Sequence, residues 1–486
     1  MLREGWRLDY QTPIGGYPWS IPFEFPIYQS IVALIAYLGN FPLDPVGRFV
    51  SLLFLFASAL PAFGISRRLS LPPEVPWVFS ALLWSSPIYL FWGRTFMIET
   101  AATFFTFAAI PYAIDLIDQR PQLRSVFMFL LWMTLGMLQK ITTALPVMIV
   151  LSLLIAILHF KNFGLRLFSW QKLIRVLVAF GVPVIIAGLW SYYADIVRQH
   201  NILGLEMTSK KLIAWNFGTI NQRLDFEIIR AIIWDSVFVR NLGGMAGLLI
   251  LGTALFLGQR RTKTILLISL ILFLLPIEMF INLNIIHDYY QTSSALFIIG
   301  GLSIAIVDLL QKIKMQKSMT ILTMTLVFVL LNLNSYKETY WVLIDNLSNS
   351  LNKSANQTLL ISNILARYTP PDSAIVIFGM DWDSEIAYYS GRKSFTVPSW
   401  VDKQDWKETY SKIWQDPQPY LGGMALSAIV FCEDPDRDFG TKAILDNQFV
   451  GRQPKLFKVS DCYIWLPGVD KIVLPTTNQI ILPTDY

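Results

Sequence analysis

Residues 126–159 read VFMFLLWMTLGMLQKITTALPVMIVLSLLIAILH. One helix needs about 20 apolar residues to cross the hydrocarbon core of a bilayer, and this run is close to twice that length. It is relieved chiefly by Gln139, Lys140, Thr142 and Thr143, so it reads as two spans joined by a turn at those residues. The chain is therefore predicted to be a polytopic, mostly α-helical membrane protein.

Working outward, further apolar runs at 48–65, 75–92, 98–116, 173–193, 242–257, 264–281, 293–310 and 319–333 bring the expected spans to about ten. Residues 27–41 are also apolar, but the run is short and ends among Gly39, Asn40 and Pro42, which predicts an interfacial or re-entrant helix. Composition agrees: 54% of the 486 residues are hydrophobic and 15% charged, which is not the balance of a soluble protein. The formal charge of +5 comes from basic residues in short loops between apolar runs, where they set orientation, and no nucleic-acid site is read from it.

Arg67 and Arg68, Arg120 and Arg124, the group Lys161, Arg166, Lys172 and Arg175, the group Arg260, Arg261 and Lys263, and the group Lys312, Lys314 and Lys317 fall in every second loop. The positive-inside rule assigns those loops to the cytoplasm. The expected organisation is a first outer loop with its interfacial helix at 1–47, a transmembrane domain at 48–334 and an extracytoplasmic α/β domain at 335–486. Within that last domain, 374–378, 428–431 and 462–465 read as strands and 358–368 and 405–414 as helices. Cys432 and Cys462 both fall there; an oxidising compartment permits a disulfide, and two free thiols are the alternative. They form no metal-ligand pattern.

The loops read as outer hold a sparse polar set: Glu24, Arg94, Glu99, Lys140, His287 and Asp288, with Tyr289 and Tyr290. Charges near hydrocarbon are costly and face cavities, so a shared outer cavity is expected. Ordinary readings stand beside it. Glu24 suits a solvated loop, Arg94 a side chain snorkelling to headgroups, and Glu99 the positive end of a following helix. Lys140 opposes the charge bias. His287 sits with a carboxylate and two phenols, where an imidazole binds a phosphate as a cation or a metal as a neutral ligand; His159 and His200 read as surface residues.

The stretches EFPIYQ (24–29), GRTFMIE (93–99), LQKITT (138–143), WNFG (215–218), HDYYQ (287–291) and DWDSEIAYYSGRK (381–393) resemble the bacterial polytopic glycosyltransferases of the GT-C type, those similar to protein mannosyltransferases and aminoarabinose transferases. The resemblance implies inverting transfer of a sugar from a polyprenyl-phosphate donor to a lipid, glycan or protein acceptor on the outer face of the bacterial cytoplasmic membrane. It implies Glu24 and Glu99 as catalytic, acceptor-side or metal-side carboxylates. Arg94, Lys140 and His287, with Asp288 beside them, would then bind the phosphate, while Tyr289 and Tyr290 line the sugar pocket. A divalent metal is a candidate cofactor, membrane lipids would surround the tail, and the outer domain would recognise the acceptor. In that family an acidic residue at the end of the first transmembrane helix opens the first outer loop. Glu4 and Asp9 lie further into the loop, so the chain is expected to lack that helix. The competing readings are a transporter or flippase of a lipid-linked substrate and an inactive relative.

Overall fold

The computed structural model describes residues 5–117, 121–163, 170–311, 317–380, 383–398, 416–432, 454–473 and 480–481. Glu4, Arg120, Arg166, Lys312, Lys314, Asp381, Trp382 and the expected helix at 405–414 lie outside them. The described residues form two compact units. One takes 5–8, 23–193 and 209–343, and the other takes 9–22, 194–208 and the chain from 344 onward.

The chain begins with α1 (Ile27–Gly39), α2 (Leu43–Ala57), α3 (Ala59–Arg68), α4 (Val75–Ser85), α5 (Pro87–Trp92), α6 (Glu99–Asp115), α7 (Leu123–Gln139), α8 (Ile141–Phe163) and α9 (Trp170–Arg198). Short helices α10 (Ser209–Phe217), α11 (Ile220–Leu224) and α12 (Phe226–Ile229) follow, then a π-helical stretch over Arg230–Val239. The first unit closes with α13 (Met245–Leu257), α14 (Arg260–Met279), α15 (Ile281–Ile286), α16 (Thr292–Gln311) and α17 (Lys317–Tyr336). Among the described residues, six stretches are long and apolar enough to cross a membrane: Leu43–Arg68, Ile141–Lys161, Trp170–Arg198, Arg260–Met279, Asp288–Gln311 and Ser318–Trp341. The one containing α16 is the hub. Its most apolar window is 83% buried inside the protein, against 22% for that of α9 and 22% for that of Ser318–Trp341, which places the latter two at the rim of the bundle.

The run at 75–92 is broken into two helices. Pro87 disfavours a helical conformation at the residue before it, and Ser86 accordingly takes ψ 128°. Asn241 caps the second piece, its Oδ1 accepting the Ile88 N–H at 2.7 Å and the Ser86 hydroxyl at 3.1 Å. The turn expected within 139–143 is a single extended residue, Lys140, with φ −163° and ψ 101°. It follows an α7 that lies tightly on the antiparallel α6. At Gly136 a Cβ would stand 2.8 Å from Thr106 Oγ1, so only glycine permits that approach. Antiparallel packing brings the start of α6 beside the end of α7.

The second unit is built on a five-stranded sheet and α18 (Val342–Tyr368). Its strands are β1 (Ala374–Phe378), β2 (Lys393–Val397), β3 (Leu426–Phe431), β4 (Pro454–Val459) and β5 (Cys462–Pro467), in the order β2-β1-β3-β5-β4. β1 runs parallel to β2 and β3, and β5 antiparallel to β3 and β4. Every residue of β1 is buried, and a strand covered on both faces reads as a continuous apolar run. Ile361, Ile364 and Leu365 of α18 pack into the same core as Ile375 and Ile377.

An edge strand such as β2 invites unwanted pairing unless it is covered. The loop 9–22 does this: Ser394 N–H donates to Pro13 O at 2.7 Å, and Gly16 N–H donates to Ser394 O at 3.2 Å. Gly16 has φ +71°, and a Cβ there would stand 2.7 Å from the Phe395 ring, so both conformation and space require glycine. The fully buried Asn201 holds the same loop, donating to Gly15 O and Gly16 O at 2.9 Å each.

Cys432 and Cys462 are disulfide-bonded across a separation of 30 residues. Closing a loop of this length restricts the unfolded chain, so the C432S variant is expected to lose roughly 3 to 4 kcal/mol of stability in this unit. Urea-dependent proteolysis of the full chain checks it: cleavage of the α/β unit moves to lower urea, while cleavage of the helical unit stays where it was.

Candidate functional site

Glu99 is the first residue of α6 and Lys140 immediately follows α7. Their side chains meet at 2.6 Å, Lys140 Nζ donating to Glu99 Oε1, and each is only 8% exposed. A pair this buried is held by its mutual charge, because either group alone would remain uncompensated in a poorly solvating medium. Glu99 makes one use of its carboxylate and leaves another open. Its Oε2 is buried and has no hydrogen-bond partner among the described residues.

Two aromatic rings close over the cation. Lys140 Nζ lies 4.0 Å from the centre of the Tyr290 ring and 5.2 Å from that of Tyr289, within cation–π range. The rings come from the short 3-10 turn Asp288–Gln291 that leads into α16. Tyr289 and Tyr290 stack at 4.7 Å, and the His287 ring stacks on them at 5.0 Å and 6.3 Å. Trp92, at the end of α5, meets Tyr289 edge-on at 5.5 Å. The turn itself is tied down by the Ser236 hydroxyl, which donates to Gln291 Oε1 at 2.5 Å, and by the Tyr89 hydroxyl, which donates to Thr292 O.

Glu24 arrives from the first loop and is positioned by its neighbours' backbone. Trp190 Nε1 of α9 donates to Phe23 O at 3.0 Å and its ring meets Phe25 edge-on at 5.0 Å. Phe25 N–H donates to Leu138 O at 3.0 Å, and Tyr28 N–H to Gln139 Oε1 at 3.0 Å. The loop is thus clipped to the last turn of α7, beside Lys140, and the Glu24 carboxylate lies within electrostatic range of the neutral Tyr290 phenol.

The structure therefore brings Glu24, Glu99, Lys140, His287, Tyr289 and Tyr290 together. Asp288 faces elsewhere, where its Oδ2 accepts the Tyr340 hydroxyl at 3.1 Å, and Tyr340 stacks on Phe91 at 4.6 Å. Arg94 is exposed in the turn after α5 and makes no hydrogen bond or ion pair with the described residues. Among the described residues no three His, Cys, Asp or Glu side chains converge to hold a metal ion. His287 is exposed as a residue, yet its ring lies against two tyrosines. That partial burial, and next the nearby Lys140, hold its pKa below the ordinary imidazole value, with Asp288 opposing them.

Sequence reasoning missed Trp92, Gln139, Trp190 and Tyr340. Gln139 carried a signal, being a polar group inside an apolar run. An aromatic residue in a span carries none, because it reads equally as core.

No protein-family model matches the sequence, and no curated protein matches it. Solved structures do. The chain is similar to ArnT from Cupriavidus metallidurans bound to undecaprenyl phosphate, with a TM-score of 0.53 at 11% identity, covering 91% of this chain and 87% of that one. It is similar also to ArnT from the same organism in the apo state, with a TM-score of 0.51 at 12% identity and the same coverage. At this identity the likeness is one of fold. The fold is that of a GT-C-type polytopic α-helical membrane protein carrying a small C-terminal α/β domain, as the short motifs led one to expect.

The buried pair sets a stability test. K140M strands the Glu99 carboxylate and is expected to cost about 3 to 5 kcal/mol, whereas the double variant E99Q/K140M recovers most of that loss. Thermal unfolding of the purified single and double variants measures the coupling; additive losses would show that the two side chains do not depend on each other.

Proposed function

We propose that this protein is a membrane glycosyltransferase that moves a sugar from a polyprenyl-phosphate donor to a hydroxyl acceptor at the outer face of the bacterial cytoplasmic membrane, with inversion. The observation that carries this reading is the buried Lys140–Glu99 pair with its open carboxylate oxygen beneath two tyrosine rings. The similar ArnT structure with undecaprenyl phosphate supports a lipid-phosphate donor.

The chemistry asks for two things that the cluster supplies. As the bond from the anomeric carbon to the phosphate oxygen breaks, its electrons pass to the phosphate, and a preorganised cation in a dry site stabilises that charge. Lys140 is this cation, held in place by Glu99, and Arg94 adds a second cation, its guanidinium, from the exposed turn. On the opposite side of the sugar the acceptor hydroxyl attacks the anomeric carbon and must lose its proton, which Glu24 accepts as general base. Glu99 Oε2 accepts a hydrogen bond from a sugar or acceptor hydroxyl, and the stacked Tyr289 and Tyr290 form an apolar wall for the ring. His287, kept neutral, donates one N–H to the phosphate. The disulfide supports an oxidising surrounding for the α/β unit, since such bonds are rare in the cytosol.

E24Q and K140A in the full chain are each expected to lower transfer by about 100-fold or more. Proteoliposomes given polyprenyl-phosphate hexoses and pentoses measure it, and unchanged turnover in both folded variants would remove the reading. The pH profile gives a second test. The His287 pKa is depressed, so the neutral ring survives as pH falls through about 6.5 and transfer declines only at more acidic pH. In H287Q the step set by this imidazole disappears, while the limb set by protonation of the Glu24 base remains.

A further inference from the structure

At the other end of the helical unit, two cavities meet. α16 starts beside the tyrosine pair, and Asp308 lies about 24 Å further along its axis; α6 likewise starts at Glu99 and runs to the cavity walls at Ile110 and Ile114. The first cavity, of about 210 Å³, is apolar, with walls from α3, α4, α6, α8, α14 and α16 that include Ile65, Phe79, Leu154 and Phe297. The second, of about 340 Å³, is polar and is walled by residues 70–74, by Gln259, Arg261 and Thr262 at the start of α14, and by Asp308 and Gln311. Leu71 and Ile304 line both, so an apolar chamber opens behind a charged mouth.

The mouth contains an unmet demand. Asp308 is engaged, its Oδ2 accepting the Gln259 N–H at 3.2 Å. Glu74 is different: its Oε2 is buried and has no hydrogen-bond partner among the described residues. Two carboxylates and one guanidinium face this space, a balance that disfavours a purely anionic guest, while Arg261 calls for an anion of its own.

We infer that the paired cavities bind a membrane phospholipid with a phosphoethanolamine headgroup, one acyl chain occupying the apolar chamber. The phosphate pairs with Arg261, whose planar donors suit phosphate oxygens. The ammonium carries three N–H donors, and one satisfies Glu74 Oε2. A choline headgroup has the same charge but no N–H to donate, so it leaves that oxygen unmet. A phosphoglycerol headgroup can pair its phosphate with Arg261 and donate a hydroxyl, but it brings no cation to balance the Glu74 and Asp308 carboxylates. The site is independent of the sugar-transfer reading and shares none of its residues.

Native mass spectrometry of the full chain tests this, with dioleoyl phosphatidylethanolamine or dioleoyl phosphatidylcholine titrated into mixed micelles. The wild type is expected to hold the ethanolamine lipid about tenfold more tightly, and E74Q to bring the two within about twofold. G300L fills the chamber, since a Cβ at Gly300 meets only Phe79, at 3.9 Å, and it should retain neither lipid. Equal retention of both lipids by the wild type, or an unchanged preference in E74Q, would overturn the inference, and both arms stand whether or not G300L folds.

Discussion

A single ion pair between the start of α6 and the end of α7 organises the candidate site. Burying Lys140 and Glu99 removes both from water, and that loss is offset only if each keeps the other. The pair therefore constrains its surroundings. α7 must end where its last residue can turn Lys140 inward, so the connection to α8 is one extended residue and not a loop. α6 and α7 must also lie close, and Gly136 opposite Thr106 is the local condition for that. The tyrosine rings over Nζ add attraction without adding charge, and they cover the ammonium.

Around this pair, positions are set mainly by backbone groups. Glu24 is aimed by the amide of Phe25 and the carbonyl of Phe23, and the Tyr289–Tyr290 turn by Gln291 and the carbonyl of Thr292. Such contacts hold a loop without consuming the functional side chains that it presents. The buried Glu99 Oε2 is one of several buried polar atoms without a hydrogen-bond partner among the described residues, and it is the one that belongs to a charged group of this cluster.

The spans were legible because apolar length is a property of sequence alone. The turn at Lys140, the helix over 27–39 and the strands 374–378, 428–431 and 462–465 were legible for similar reasons of run length and content. β2 and β4 were not: KSFTV and PKLFKV carry polar residues at their ends, and their strand character comes from their neighbours in the sheet. The attachment of loop 9–22 to β2 was equally hidden, since it rests on two main-chain hydrogen bonds and on Asn201, about 190 residues further along the chain. At the site, the ionisable members stood out as charges in apolar surroundings. Their partners, Trp92, Trp190 and Tyr340, did not, because an aromatic side chain in a helical span serves packing and positioning with the same letter.

Asp288 shows the limit of reading chemistry from adjacency. In sequence it stands between His287 and Tyr289, which suggests one cooperating group. Successive residues in a 3-10 turn leave the backbone about 120° apart, however, so adjacency in sequence does not decide which side chains meet. Asp288 reaches Tyr340 while Tyr289 and Tyr290 fold back over Lys140. The hydrogen bond to Tyr340 is one of the contacts that hold the turn, with those at Gln291 and Thr292. Asp288 is thus engaged with Tyr340 while the rings beside it cover Lys140.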